Sequence, residues 1–251
     1  MSQLIFYQKA EPIHKDFHRQ IRLDRNPTDF SFARHTNSVM LAGIEFQLAA
    51  KEYPIVFVKA NQDNIFATAL LGVRSDENLF TDQEGRWDAQ YIPAFVRRYP
   101  FILAEVENMP NQLTLCMDSD YPGFSTNQGE ALFQENGDPS EMLTKTLQFL
   151  RDCHDGYQRT QLFIKRLQDL DLFVTLTTAI EMPDGRKFAI QGLMAVDENK
   201  LLALNEQHAM EMFRLGEMAW IYTHLLSLSN INRLAQLLTT RTANEPLSRK
   251  A

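Results

Sequence analysis

The stretch from Asn78 to Phe101, NLFTDQEGRWDAQYIPAFVRRYPF, constrains this chain more than any other. It gathers Phe80, Trp87, Tyr91, Phe95, Tyr99 and Phe101 with Pro93, Pro100 and the pair Arg97–Arg98. Large rings gain by leaving water. Prolines fix the backbone, and arginine stays charged and demands water or an anion. A segment combining all three is expected to fasten other parts of the chain together. Pro93 suits the first turn of a helix, where its missing N–H costs nothing, and Tyr99–Pro100 stops that helix. About two turns at most over Ala94–Arg98 are therefore predicted.

On either side of this stretch the chain changes character. Before it, Leu4–Tyr7 and Ile21–Leu23 read as short strands. Leu41, Ile44, Glu45, Leu48 and Ala49 recur at helical spacing, which predicts a helix over residues 40–51, started by Asn37 or Ser38 and stopped at Tyr53–Pro54. Ile55–Lys59 and Ile65–Val73 predict a hairpin, followed by a short strand at Leu79–Thr81. Ile102–Glu107 and Leu113–Asp118 predict two more strands around Met109–Asn111. From Asn136 onward helices dominate. Asp138 as N-cap with Pro139 and Glu141 behind it opens a helix running to about Asp169. Phe173–Ile180 and Lys187–Val196 flank a Met182–Gly185 turn as a second hairpin. Asp197–Leu204 predicts a turn or two of helix, Asn205 caps another, and Gly216 marks its end. The predicted class is α+β, a strand-rich first half packed on a helix-rich second half that carries one β-hairpin. With no linker or repeat, residues 1–251 read as one domain with lobes at 1–135 and 136–241 and a frayed tail at 242–251.

Composition excludes more than it identifies. A formal net charge of −7 opposes a nucleic-acid partner, because phosphate binding needs a basic face, and the basic pairs here are scattered. The two cysteines, Cys116 and Cys153, are too few for a disulfide framework and are expected to be buried free thiols. No run of about 18 apolar residues predicts a membrane span. The N-terminus lacks a basic segment followed by an apolar one, so the expected location is cytoplasmic.

Motifs that carry chemistry are few. GxxxxGK[ST], GxGxxG, GxSxG and HExxH are all missing. His14 and His18 would share a helical face and could ligate one metal, but Pro12 opposes a helix and surface or capping roles are expected. Asp118 and Asp120, just past a strand, could hold a hard cation; turn capping is the commoner use of such residues. No metal site is therefore predicted. Arg97 and Arg98 point about 100° apart on a helix, so one faces inward and needs a carboxylate. Glu45 and Glu105 are candidate partners, and a bound anion is the alternative. Trp87 and Tyr91 either line a small-molecule pocket or belong to the core with hydrogen-bonded tips. Trp220, Tyr222 and His224 read as packing residues. Met210, Met212, Met218 and Trp220 fit core packing and a dimer surface equally well, so the oligomeric state stays open.

The chain resembles the bacterial SapC-like family. The resemblance rests on Glu45–Phe46, Tyr53–Phe57, Leu71–Gly72, Asn78–Phe80, Gly85–Trp87, Tyr91–Pro93 and Arg97–Phe101, then Gly129–Phe133, Asn136–Gly137, Asp184–Gly185, Asp197 and Lys200–Leu201. It spans nearly the whole chain. It implies an accessory protein associated with a bacterial surface layer, so a surface association stands beside the cytoplasmic expectation and the location stays open. It implies no reaction, cofactor or catalytic residue.

Two functional expectations follow. The first is a non-catalytic accessory or interaction protein with a protein partner, in a surface-layer or envelope-related pathway. The second is an enzyme or binding protein for an acidic small molecule or peptide, with Glu45, Asn78, Trp87, Tyr91, Arg97, Arg98 and Tyr99 around its pocket. A metal-dependent oxygenase or hydrolase using His14, His18 and the Asp118–Asp120 loop is a third and weaker reading.

Overall fold

Strand pairing between segments far apart in sequence organises the first half of the chain. The computed structural model describes residues 4–24, 28–60, 64–106, 109–181 and 185–244. In chain order the first-half elements are β1 (Ala10–Pro12), β2 (Arg22–Leu23), β3 (Ser38–Met40), α1 (Phe46–Ala49), β4 (Ile55–Lys59), β5 (Ile65–Leu70), α2 (Ala94–Arg97), β6 (Phe101–Val106) and β7 (Met109–Asp118). Then come β8 (Phe124–Ser125), β9 (Glu130–Ala131), α3 (Glu141–Asp169), β10 (Phe173–Glu181) and β11 (Lys187–Val196). The chain closes with α4 (Glu198–Leu202), α5 (Glu206–Arg214), α6 (Glu217–Ser227) and α7 (Ile231–Asn244). The architecture is α+β, with a strand-rich first half and a helical second half, as the sequence predicts.

Among the described residues three antiparallel sheets form. The largest has the order β10-β11-β4-β5-β3, the second β1-β7-β6, and the third β8-β2-β9. The predicted hairpin of Ile55–Lys59 with Ile65 onward is present, with Ile55 opposite Ala69 and Lys59 opposite Ile65. The second predicted hairpin joins this sheet only at its base, where Leu193 and Met194 face Val58 and Phe57. Midway along it, Gln191 and Gly192 oppose Thr177 alone. Gly192 takes φ 75°, a left-handed value that suits the extra residue of such a bulge. Of the hairpin's predicted Met182–Gly185 turn, residues 182–184 lie outside the described residues.

The structure corrects several local predictions. Residues 40–51 are not one helix: Ser38–Met40 pairs with β5, and only a 3-10 turn and the four-residue α1 follow. The pairing continues as the Leu41 N–H bonds the Ala67 carbonyl at 2.9 Å, so the backbone groups a helix would use are already taken. Leu4–Tyr7 is a turn whose Phe6 and Tyr7 are buried. The strand falls at Ala10–Pro12 instead, on a sheet edge, where a proline costs no ladder bond. Leu79–Thr81 keeps only an isolated bridge from Thr81 to Trp87. The N-cap of α3 is Ser140, which accepts from the Leu143 N–H at 3.2 Å. Asp138 is held in the preceding turn by Asn136, through its own N–H and its carboxylate.

The larger core cluster runs from Phe6 to Leu238 and includes Tyr53, Phe57, Phe80, Phe163, Met212 and Trp220. Burying a side chain of this size contributes about 1.5–3 kcal/mol. A smaller cluster joins Leu23, Phe101, Met117, Leu132, Leu143 and Leu150. The 29-residue α3 is seated in both. Its Gly156 lets the Ala42 and Ile44 side chains approach within 3.2 Å of where a Cβ would stand. Met212 and Trp220 belong to the core, while Met210 and Tyr222 are exposed. Thr242–Asn244 continue α7, and 245–251 lie outside the described residues. Among the described residues no helix is long and apolar enough to cross a membrane.

Candidate functional site

Glu45 and the central stretch form one hydrogen-bonded network. The Glu45 carboxylate is buried and accepts from the Ala42 N–H (2.8 Å), the Ala94 N–H (2.8 Å) and the Tyr91 hydroxyl (2.7 Å). It therefore caps α2 and fixes Tyr91 at once. Trp87 donates through Nε1 to the Tyr53 hydroxyl at 2.8 Å, and that hydroxyl donates to the Tyr91 carbonyl. Burial pushes the phenols of Tyr53 and Tyr91 well above the usual tyrosine range, and the neighbouring Glu45 charge adds to the effect on Tyr91. Asn78 is fully buried: its amide donates to the Ala33 carbonyl at 3.1 Å and its oxygen accepts from the Phe80 N–H at 2.9 Å. Tyr99 donates to Asp118 Oδ2 at 3.0 Å, and its ring lies 4.3 Å from that of Phe32.

The two arginines part as their helical spacing requires. Arg97 is exposed, donates from Nε to the Ile92 carbonyl at 2.9 Å and lies over the Phe149 ring at 5.1 Å. Arg98 turns inward, with 9% of its surface exposed and its guanidinium 3.9 Å above the Phe95 ring. Burial raises the pKa of Tyr7, and the adjacent Arg98 opposes that rise.

Of the seven candidate residues, Arg98 borders a cleft of about 560 Å³, a volume ordinary for a ligand site. One wall is β6, from Ile102 to Glu105. Opposite stand Met40 and Phe66 of the larger sheet, and α3 closes the space with His154, Tyr157 and Gln161. The Tyr157 hydroxyl is shielded from water and, among the described residues, has no hydrogen-bond partner. Burial raises its pKa strongly, with Glu45 adding to the rise. Glu105, expected as a partner for an arginine, lines the same cleft as Arg98.

The α3 wall was missed in the sequence. Its signal is the spacing of His154, Tyr157 and Gln161, which puts all three on one helical face. The metal reading fares differently. His14 is exposed, and its N–H bonds His18 Nδ1. Asp118 is spent on the Gln8 and Lys9 N–H groups and Tyr99. Among the described residues no group of three or more His, Cys, Asp or Glu side chains is placed to hold a metal ion.

The SapC family model matches residues 13–234. The chain belongs to the SapC family. The match takes in β2 through the first turn of α7, and so includes every residue of the Glu45 network and of the cleft except Leu4. No curated protein and no solved structure matches this SapC-family chain.

Proposed function

We propose that this SapC-family chain is a non-catalytic accessory protein of a surface-layer or envelope-related pathway. It acts by holding a partner's acidic group, from a small molecule or a peptide, in the Arg98 cleft. One observation carries this: a cavity of ligand size bordered by an inward arginine, with Tyr157 of α3 in its lining. The Arg98 guanidinium lies over the Phe95 ring, and a guanidinium carries donors that suit a carboxylate. The association of SapC-like proteins with a bacterial surface layer supports the pathway. Burial raises both thiols, Cys153 to about 12, so neither is poised as a thiolate nucleophile. Glu45, Asn78, Trp87, Tyr91 and Tyr99 support the cleft indirectly, by fixing the segment that carries Arg98.

Calorimetric titration with succinate, comparing the native chain with Arg98→Gln, tests the binding. Saturable uptake that the variant weakens at least tenfold is expected. Equal uptake by both would overturn the reading.

A further inference from the structure

The backbone of the cleft wall narrows what can carry the acidic group. The Asp118 N–H donates to the Pro100 carbonyl at 2.9 Å, and the register continues with Phe101 opposite Met117 and Ile102 opposite Cys116. Bonded and non-bonded pairs alternate along an antiparallel ladder. Ile102 and Ala104 therefore turn their N–H and C=O groups toward β7, and Leu103 and Glu105 turn theirs away. Two further bonds agree. Leu115, opposite Leu103, gives its carbonyl to the Ile13 N–H at 2.8 Å, on the far side of β7. The Phe101 carbonyl, also directed away from β7, accepts from the Tyr7 hydroxyl at 2.7 Å.

Among the described residues no strand pairs with that outer edge of β6, and no hydrogen bond occupies the outward groups of Leu103 or Glu105. Side chains of a strand alternate between its two faces. Yet four consecutive residues, Ile102 to Glu105, all border the cleft. Only the edge of a strand presents itself in this way. The cleft is thus a slot beside an unpaired edge, with Arg98 ahead of the strand's first residue and Glu105 toward its far end.

We propose that the occupant is an extended peptide that adds a strand to β6. It runs antiparallel, with its C-terminal carboxylate at Arg98 and a basic residue beside Glu105. This rests on the carboxylate reading above. Main-chain pairing at an open edge is a recurrent mode of peptide capture. Four residues at strand rise span about 13 Å, the length of β6 that borders the slot. A small diacid would leave the outward Leu103 and Glu105 amides unpaired, whereas a peptide supplies their acceptors.

The probe is a pool of hexapeptides with a free C-terminus, lysine fourth from the end, and Val, Leu, Ile or Thr elsewhere. It is compared with its C-terminally amidated form and with succinate, using residue-resolved amide exchange and calorimetry. Expected is at least tenfold slower exchange at Leu103 and Glu105, with little change at Ile102 and Ala104, and at least tenfold weaker binding of the amidated pool. Glu105→Lys, at an exposed position, should abolish the preference for lysine over glutamate at the fourth place. Uptake of succinate without peptide protection would overturn strand addition and leave the carboxylate reading standing. Equal protection by free and amidated pools would do the reverse, keeping the added strand and removing the carboxylate. Binding of neither probe would overturn both.

Discussion

Arg241 Nη1 donates to the Asn78 carbonyl at 2.6 Å, tying the last helix to a residue 163 positions earlier. Its Nη2 reaches the carbonyls of Thr81 (2.8 Å) and Leu79 (3.4 Å). One side chain thus satisfies three main-chain acceptors of a segment that has almost no strand pairing of its own. Arg241→Met keeps the apolar stem and removes the donors. It should cost about 1–3 kcal/mol, read as a lower urea midpoint with an unchanged slope.

Glu45 offers a sharper comparison. Glu45→Ala leaves two N–H groups and the Tyr91 hydroxyl without their acceptor. A loss of about 3 kcal/mol is expected. Glu45→Gln can keep the oxygen that serves Tyr91 and Ala94 and loses only the bond from Ala42, for about 1 kcal/mol. Chemical denaturation of the two variants checks the order, and equal losses would refute this division of roles.

His224 is buried between β4 and β11. The Val196 N–H donates to Nε2 at 3.1 Å, so Nδ1 carries the proton and donates to the Ile55 carbonyl at 2.8 Å. Burial lowers its pKa from 6.5 to about 4. The fold prefers the neutral ring, so this stabilisation is complete above pH 6.5 and fades as the pH falls toward 4. The full difference is about 3 kcal/mol. Urea midpoints of the native chain should drop between pH 7 and 4.5 by more than those of His224→Gln.

A Cβ at Gly43 would stand 2.5 Å from the Trp220 ring. Gly43→Ala must push apart the turn after β3 and the indole that packs on Phe163. About 1–3 kcal/mol of destabilisation is expected, visible in thermal melts. Gly137→Ala meets nothing within 4 Å, but its φ of 87° strains any side chain, so its cost comes from the backbone alone.

We also propose that the whole chain folds as one unit. Phe163, Met212, Leu234 and Leu238 share a core cluster with Phe6, Tyr53 and Phe57. Residues 1–135 expressed alone should lack dispersed amide signals by NMR. A well-folded fragment would show two independent domains.

Where local pattern and tertiary structure agree, the fold was legible. β4, β5 and the long hairpin alternate or run apolar at strand length, and Asn205 and Gly216 bound α5 as caps should. The failure at residues 40–51 is of another kind. Leu41, Ile44 and Leu48 are spaced like a helix, but Ser38–Met40 finds a partner in β5, and nothing nearby in sequence announces that pairing. The bulge at Gly192 was hidden for a similar reason, since register is set by both strands together. At the site, the parting of Arg97 and Arg98 was legible from their spacing, but not which of the two turns inward. His154 and Tyr157 were not, because a polar stripe on a helix reads as a solvated face until β6 is seen opposite it.

The seating of α3 decides how the slot behaves. Leu143 and Leu150 anchor one end of that helix in the smaller cluster, while Phe163, Ile164 and Leu167 anchor the other in the larger. A rod pinned at both ends sets the spacing between β6 and the larger sheet. The aperture cannot widen without prising α3 out of one of its two sockets. On the peptide reading proposed above, guests are therefore sorted by girth, and a bulky one is refused at the rim.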